Sequence, residues 1–282
     1  MNLTSPSQVK AWCIEHGFHP NKVLGQNFLI DQNALQAIVD AGLENARMFE
    51  CSNVRMSPHV LEIGPGLGVL TEEMLKRGCR VTAIEKDPVL AARLEEEAKE
   101  RSEGEQWWKN LSVLTGDALD VISSPSSLSF DSFSCMISNL PYQAGTRILL
   151  EFVKARAFQS MTVLVQTEVA ERLAAGPGTK TRGLAGVWAQ LDYDVKIVRK
   201  VSPSCFWPRP EIGSSVVRLD RHDRNIAISD EERDLFHSLT KKAFEHRRKQ
   251  LGSIFKDMIQ STARAEELAN EDWLKLVKGL IG

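Results

Sequence analysis

The chain has 282 residues, 43% hydrophobic and 26% charged, the proportions of a globular protein and not of a disordered or fibrous one. No run approaches the roughly 18 apolar residues of a membrane span, and residues 1–10 lack the apolar core of an export signal, so a cytoplasmic protein with no membrane partner is expected. A net charge of −2 excludes a globally basic nucleic-acid binder, but a phosphate-binding face needs only local positive charge.

Residues 1–30 read as a polar lead ending in Lys22-Val23-Leu24-Gly25-Gln26-Asn27-Phe28-Leu29. Leu35, Ile38, Val39 and Leu43 recur at helical spacing and predict an amphipathic helix over 31–43, with Asp31 as its cap. Residues 44–58 read as an irregular connector. Strands are predicted at 60–63, 80–84, 111–114, 133–137 and 161–166, with helices at 70–77, 88–101 and 147–155 between them. The Ser-rich stretch 123–132 reads as an exposed loop, and 174–186, rich in Gly, Lys and Thr, as a mobile one. Late strands at 195–201 and 214–219 bracket a proline-dense turn, Pro203 to Pro210, and the Trp107-Trp108 pair reads as surface packing. After Asp230 the pattern is purely helical: 231–244, a basic stretch to Phe255, and a last helix around 273–280.

Alternation of this kind argues an α/β fold, a mostly parallel sheet with helices on both faces. A single cut gives a large domain, 1–221, and a small α-helical domain, 222–282. The five cysteines, Cys13, Cys51, Cys79, Cys135 and Cys205, are odd in number and lack CxxC spacing, so they read as small buried thiols. Neither a disulfide framework nor a bound metal is expected.

Gly64-Pro65-Gly66-Leu67-Gly68 follows the first of the alternating strands and precedes a helix. Glycines there let the backbone turn sharply and approach a ligand, whose polar groups meet free N–H groups at the helix start. A dinucleotide fingerprint reads G-x-G-x-x-G; here the third glycine comes one residue early, which favours S-adenosylmethionine over NAD. Glu85 ends the next strand, about 20 residues on, where a carboxylate accepts both ribose hydroxyls and repels a 2′-phosphate. Asp117, in Gly116-Asp117-Ala118, is placed to accept from an adenine amine, although Asp in such a turn is also an ordinary turn former.

Asn139-Leu140-Pro141-Tyr142 follows the fourth of those strands, at the carboxyl edge where ligands bind. An aromatic amine is a poor nucleophile because its lone pair is delocalised into the ring. An Asn side-chain carbonyl and a neighbouring backbone carbonyl that accept its two N–H bonds pull the nitrogen toward tetrahedral geometry. Pro141 stiffens the turn. Tyr142 offers a face on which a flipped-out base stacks, worth roughly 1–3 kcal/mol. Phe206, in Cys205-Phe206-Trp207-Pro208-Arg209-Pro210, is a candidate for the opposite wall of the base pocket, or else a packing aromatic.

These motifs, with Leu24-Gly25-Gln26-Asn27-Phe28-Leu29, Gln166 to Leu173, Ser214 to Leu219 and Phe244-Glu245-His246-Arg247-Arg248-Lys249-Gln250-Leu251, resemble the small-subunit (16S) rRNA adenine N6,N6-dimethyltransferases over residues 24–280. The resemblance implies a Rossmann-like methyltransferase fold and S-adenosylmethionine as methyl donor. It implies N6,N6-dimethylation of two adjacent adenosines in a hairpin near the 3′ end of 16S rRNA, carried in an immature 30S subunit and linked to its biogenesis. It further implies cofactor contacts at Asn27, Leu29, Gly64, Gly66, Glu85, Asp117 and Asn139; for Asn27 and Leu29 spacing alone says only that a polar lead precedes a helix. Lys241, Lys242, Arg247, Arg248 and Lys249, read as one helical stretch, and Arg199, Lys200 and Arg209 upstream, would hold phosphate backbone beside the pocket. A monomer is expected. After Tyr142 the family commonly has Asn-Ile-Ser-Thr; here Gln143-Ala144-Gly145-Thr146 departs from it, which bears on the base pocket's shape or on the second transfer. The competing readings are a 23S rRNA adenine methyltransferase and a non-catalytic ribosome-assembly factor on the same fold.

Overall fold

Short apolar runs form strands and the stretches between them form helices in a computed structural model, which describes residues 1–21, 24–46, 57–124, 128–222 and 228–281. Packing divides the chain into one unit of Met1–Ala170 with Lys196–Asp220 and a second of Glu171–Val195 with Arg221–Gly282.

The first unit runs α1 (Pro6–Glu15), β1 (Phe28–Leu29), α2 (Gln32–Ala46), β2 (His59–Ile63), α3 (Val69–Lys76), β3 (Arg80–Glu85), α4 (Pro88–Arg101), β4 (Leu111–Thr115), α5 (Ala118–Ser123), β5 (Cys135–Asn139), α6 (Gly145–Ala155) and β6 (Ser160–Gln166), then enters α7 (Thr167–Ala174). It resumes within β7 (Tyr193–Val201) and adds β8 (Phe206–Trp207) and β9 (Ser214–Arg221). A seven-stranded sheet has the order β4-β3-β2-β5-β6-β9-β7. The first five strands in that order pair in parallel, and β9 runs antiparallel to β6. Four of the five residues of β2 are buried and so are six of the seven of β6, the near-continuous apolar reading of a strand covered on both faces. Leu35, Ile38 and Val39 of α2 and Leu70 and Met74 of α3 share one core with Val60, Val81, Ile137 and Leu164. Asp31 caps α2 through Ala34 N at 2.8 Å, and Asp87 caps α4 with Pro88 at its first position.

The lead 1–30 contains a helix that its polar composition concealed. α1 has a narrow apolar stripe, Val9 and Cys13, which packs with Leu3, Phe18, Phe28, Leu67 and Leu90. β1 and β8, each of two residues, pair antiparallel with Phe28 opposite Trp207 and Leu29 opposite Phe206. Trp108 also corrects the surface reading: it is 1% exposed, and its indole N–H donates to Glu105 Oε2 at 3.1 Å. Of the connector, 44–46 belong to α2, and 47–56 lie outside the described residues, as do 125–127 of the Ser-rich loop.

In the second unit, α8 (Leu184–Asp192), α9 (Asp230–Glu245) and α11 (Asn270–Ile281) pack on one another and bury Trp188, Phe236 and Trp273, and the short α10 (Leu251–Phe255) lies between α9 and α11 in sequence. A capping box of Ser229 and Glu232 starts α9. The loop predicted as mobile is tied down: Arg182 is 1% exposed and donates to Ala175 O, Gln190 Oε1 and Asn270 Oδ1. No described helix is long and apolar enough to cross a membrane.

Candidate active site

Strand order reverses between β2 and β5, and a crevice opens beyond the carboxyl ends of strands at such a point. Ser138 Oγ accepts from Ile63 N at 2.9 Å and ties the two strand ends together. The glycine loop after β2 therefore lies against the Asn139–Tyr142 turn after β5; a Cβ on Gly64 would sit 3.8 Å from Pro141 Cδ. Gly64, Gly66 and Gly68 have φ of 66°, 59° and 84°, the left-handed region that a side chain disfavours.

A cavity of about 370 Å³ occupies this crevice. Asn27, Leu29, Gly64, Gly66, Glu85 and Asp117 line it from the nucleotide side, and Asn139, Leu140, Pro141 and Tyr142 from the other. The sequence thus marks ten residues that one cavity gathers from five separate stretches of chain.

Glu85 is 5% exposed, with Oε2 accepting from Gly66 N at 3.0 Å and Oε1 from Asp87 N at 2.8 Å. Burial raises its pKa, partly offset by those N–H groups. Each oxygen keeps a lone pair for a further donor. Asp117 Oδ1 caps α5 through Leu119 N at 2.9 Å, and Oδ2 takes Lys86 Nζ at 2.7 Å. The Lys86 contact, then the Leu119 N–H, holds its carboxyl below the usual range. Asp117 is thus a turn former that also faces the cavity.

Asn139 Nδ2 donates to Asn27 O at 3.3 Å, which leaves Oδ1 to accept a donor in the cavity. Leu140 is buried and its N–H bonds Leu164 O of β6, while Pro141 O accepts from Gly145 N at 2.7 Å. The turn is therefore held at both ends. Tyr142 is half-buried, its hydroxyl shares a hydrogen bond with Ser214 Oγ at 2.7 Å, and burial raises its pKa. The Ser214 contact fixes the hydroxyl end of the ring.

The structure supplies the physical reason for Asn27 and Leu29 that spacing lacked. Gly25, at φ 67°, brings the 24–29 loop so close to the reaction turn that a Cβ would lie 3.1 Å from Tyr142 N. Gln26 Nε2 donates to Asp87 Oδ2 at 2.8 Å, fastening the same loop to α4. Phe206 is not brought to the cavity: it is 2% exposed, lies in the core with Leu29 and Val201, and is absent from the lining. Its strand pairing with Leu29 turns it inward, the packing role and not the pocket wall. Among the further residues that face the cavity without a mark in the sequence are Leu3, Glu62, Lys86 and Arg147. Glu62 is 1% exposed and accepts from Thr71 Oγ1 at 2.6 Å; burial pushes its carboxyl up to about 8.

The basic residues divide. Arg209, Arg248 and Lys249 are exposed. Arg247 is half-buried, donates to Lys180 O and lies 3.6 Å from Glu266 Oε2. α9 ends at Glu245, so Arg247, Arg248 and Lys249 lie on the turn after it and not in one helical stretch with Lys241 and Lys242.

A family model described as ribosomal RNA adenine dimethylase matches residues 17–278. The ribosomal RNA small subunit methyltransferase A of Deinococcus radiodurans is 42% identical over 253 residues, 88% of this chain and 76% of that protein. The protein of the same name from Mycobacterium avium is 35% identical over 99% of this chain and 88% of its own length. Among solved structures, a dimethyladenosine transferase from Plasmodium falciparum aligns with a TM-score of 0.68 at 23% identity, covering 88% of this chain and 95% of that one. The 23S rRNA methyltransferase ErmE aligns with 0.59 at 21%, covering 90% and 99%; at these identities both show the Rossmann-like fold alone. The family match names the chemistry: the chain belongs to the ribosomal RNA adenine dimethylase family and is an S-adenosylmethionine-dependent rRNA adenine dimethyltransferase.

Proposed function

We propose that the cavity binds S-adenosylmethionine along its Asn27–Asp117 wall and receives the target adenine at Asn139–Tyr142. The observation that carries this reading is the hydrogen bond of Asn139: its amide nitrogen is held by Asn27 O, so Oδ1 remains to accept from an incoming amine. The pocket suits the donor's chemistry. Glu85 keeps lone pairs for two ribose hydroxyls, Asp117 one for an adenine amine, and the left-handed glycines remove the side chains that would fill the approach. Bound S-adenosylmethionine supplies an electrophilic methyl group.

The chain's own residues do the rest. Asn139 Oδ1 and the Leu140 carbonyl accept the two N6 hydrogens and localise the lone pair on nitrogen. Tyr142 stacks on the base and Pro141 fixes the direction of the turn. No strong base is needed, since the methylated amine sheds its proton readily. After one transfer a single N–H remains, so the second needs one acceptor and room for the first methyl.

The preferred substrate in this reading is the pair of adjacent adenosines in a hairpin near the 3′ end of 16S rRNA, within an immature 30S subunit in the cytoplasm, the enzyme acting as a monomer. The names of the Deinococcus and Mycobacterium relatives support the small-subunit assignment. Residues 1–221 carry methyl transfer, and 222–282, with exposed Arg248 and Lys249, hold RNA phosphate together with Arg209 and Arg247. Primer extension on both rRNAs from a deletion strain tests the assignment. The expected result is a lost stop near the 3′ end of 16S rRNA; a stop lost in 23S rRNA alone would overturn it.

A further inference from the structure

The cavity mouth carries an electrostatic problem. Glu85 and Asp117 line the interior, and the strand that delivers an adenine is a polyanion whose phosphates cannot enter with the base. Among the described lining residues the cations are Lys86 and Arg147. Lys86 is taken by Asp117 at 2.7 Å. Arg147 is exposed, and no hydrogen bond or ion pair holds its guanidinium among the described residues. Several other arginines of this unit are engaged, Arg77 with Asp40 and Glu73, Arg93 with Glu97, Arg101 with Glu72 and Arg218 with Asp220, while the exposed Arg209 does not line the cavity.

The position of Arg147 follows from α6. Gly145, Ile148, Leu149, Phe152 and Val153 are buried and fix the inward face of that helix. Arg147, in the first turn, falls on the other side, five residues after Tyr142. Its i+4 neighbour Glu151 is bound to Lys154 at 3.1 Å, so the usual intrahelical partner is committed elsewhere. Its charge reaches Asp117 across the cavity and helps to hold that carboxylate ionised.

We propose that Arg147 is a substrate-positioning residue: its guanidinium clamps a backbone phosphate next to the adenosine whose base stacks on Tyr142. A planar fork matches phosphate oxygens bidentately, and a flipped nucleotide leaves its phosphates at the mouth where Arg147 stands. This rests on the reading of Asn139–Tyr142 as the adenine site.

The test uses the full-length enzyme and small subunits from a strain lacking the modification. Initial rates are measured over a range of salt for wild type, Arg147→Ala, Arg147→Lys and Asn139→Ala, with S-adenosylhomocysteine affinity measured by calorimetry. Arg147→Ala is expected to raise KM for subunits about tenfold at moderate salt, to leave kcat within about twofold, and to lower the salt slope by about one. Arg147→Lys should recover part of the KM, and S-adenosylhomocysteine should bind both variants as it binds wild type. An unchanged KM and salt slope would overturn the proposal, and so would a loss of S-adenosylhomocysteine affinity that accounts for the KM. Asn139→Ala separates the two claims: full methylation by it removes the adenine site itself, whereas an inactive Asn139→Ala beside an unaffected Arg147→Ala removes only the phosphate clamp.

Discussion

At the scale of single residues, two buried carboxyls do different work on one wall of the cavity. Glu85 receives two backbone N–H groups and is prepared to carry charge beside a ligand. Glu62 receives the Thr71 hydroxyl, is 1% exposed and is pushed up to about 8, so in the folded protein it is largely neutral at pH 7. A carboxylic acid whose folded pKa is raised loses stability as pH climbs from its unfolded value, near 4.5, to about 8, because the unfolded chain releases the proton first. Wild type should therefore lose melting temperature relative to Glu62→Gln across that window, and the two should run parallel below it. Thermal unfolding followed at pH 4.5 to 8.5 checks this; parallel curves throughout would show that Glu62 titrates normally. Glu62 was not legible in the sequence, because its protonation depends on burial.

At the scale of elements, the pieces that complete the cavity are those with the weakest local signals. The strand–glycine–helix units have strong periodicity, and the residues they mark are gathered as their order implies. The 24–29 loop has no periodicity; its place is set by a two-residue strand pairing with Phe206–Trp207 and by the Asn27–Asn139 contact, both formed between residues more than a hundred positions apart. The same pairing buries Phe206, which composition offered as a pocket wall. α1 was hidden because only two of its ten residues, Val9 and Cys13, are buried, which makes a faint stripe. Yet the segment just before it roofs part of the cavity through Leu3, and α1 is tied to the glycine loop by Arg93, which lies 5.1 Å over the Trp12 ring and donates from Nη1 to Leu67 O at 2.9 Å. Leu3→Asp should weaken S-adenosylhomocysteine binding about tenfold, roughly 1.4 kcal/mol, with the fold retained. Calorimetry with circular dichroism checks it, and unaltered affinity would show that the roof does not touch the ligand. In the second unit, Arg182 turns a Gly- and Thr-rich loop into a fastened one. Arg182→Ala should cost about 2–4 kcal/mol by removing three hydrogen bonds and leaving Asn270 Oδ1 without its donor, read as a lower denaturation midpoint.

For the whole molecule, a net charge of −2 conceals an uneven distribution. Carboxylates gather inside the cavity, whereas Arg147, Arg209, Arg248 and Lys249 stand exposed. The fold class was readable because alternating strands and helices admit few topologies, and the crossing order β3-β2-β5 then forces the glycine loop and the Asn139 turn together. The grouping of Glu171–Val195 with the C-terminal helices was not readable, since it rests on buried contacts such as Trp188 to Thr240 and Arg182 to Asn270. The central claim, that Asn139 makes an adenine amine reactive, has one direct measurement. Tritium transfer from S-adenosylmethionine to unmodified small subunits, followed by nucleoside analysis, compares wild type with Asn139→Ala. N6,N6-dimethyladenosine is expected from wild type, and at least a hundredfold less, on the order of the loss of one preorganised polar contact, from the variant with S-adenosylhomocysteine affinity kept within about threefold. Dimethyladenosine formed by Asn139→Ala at the wild-type rate would contradict it.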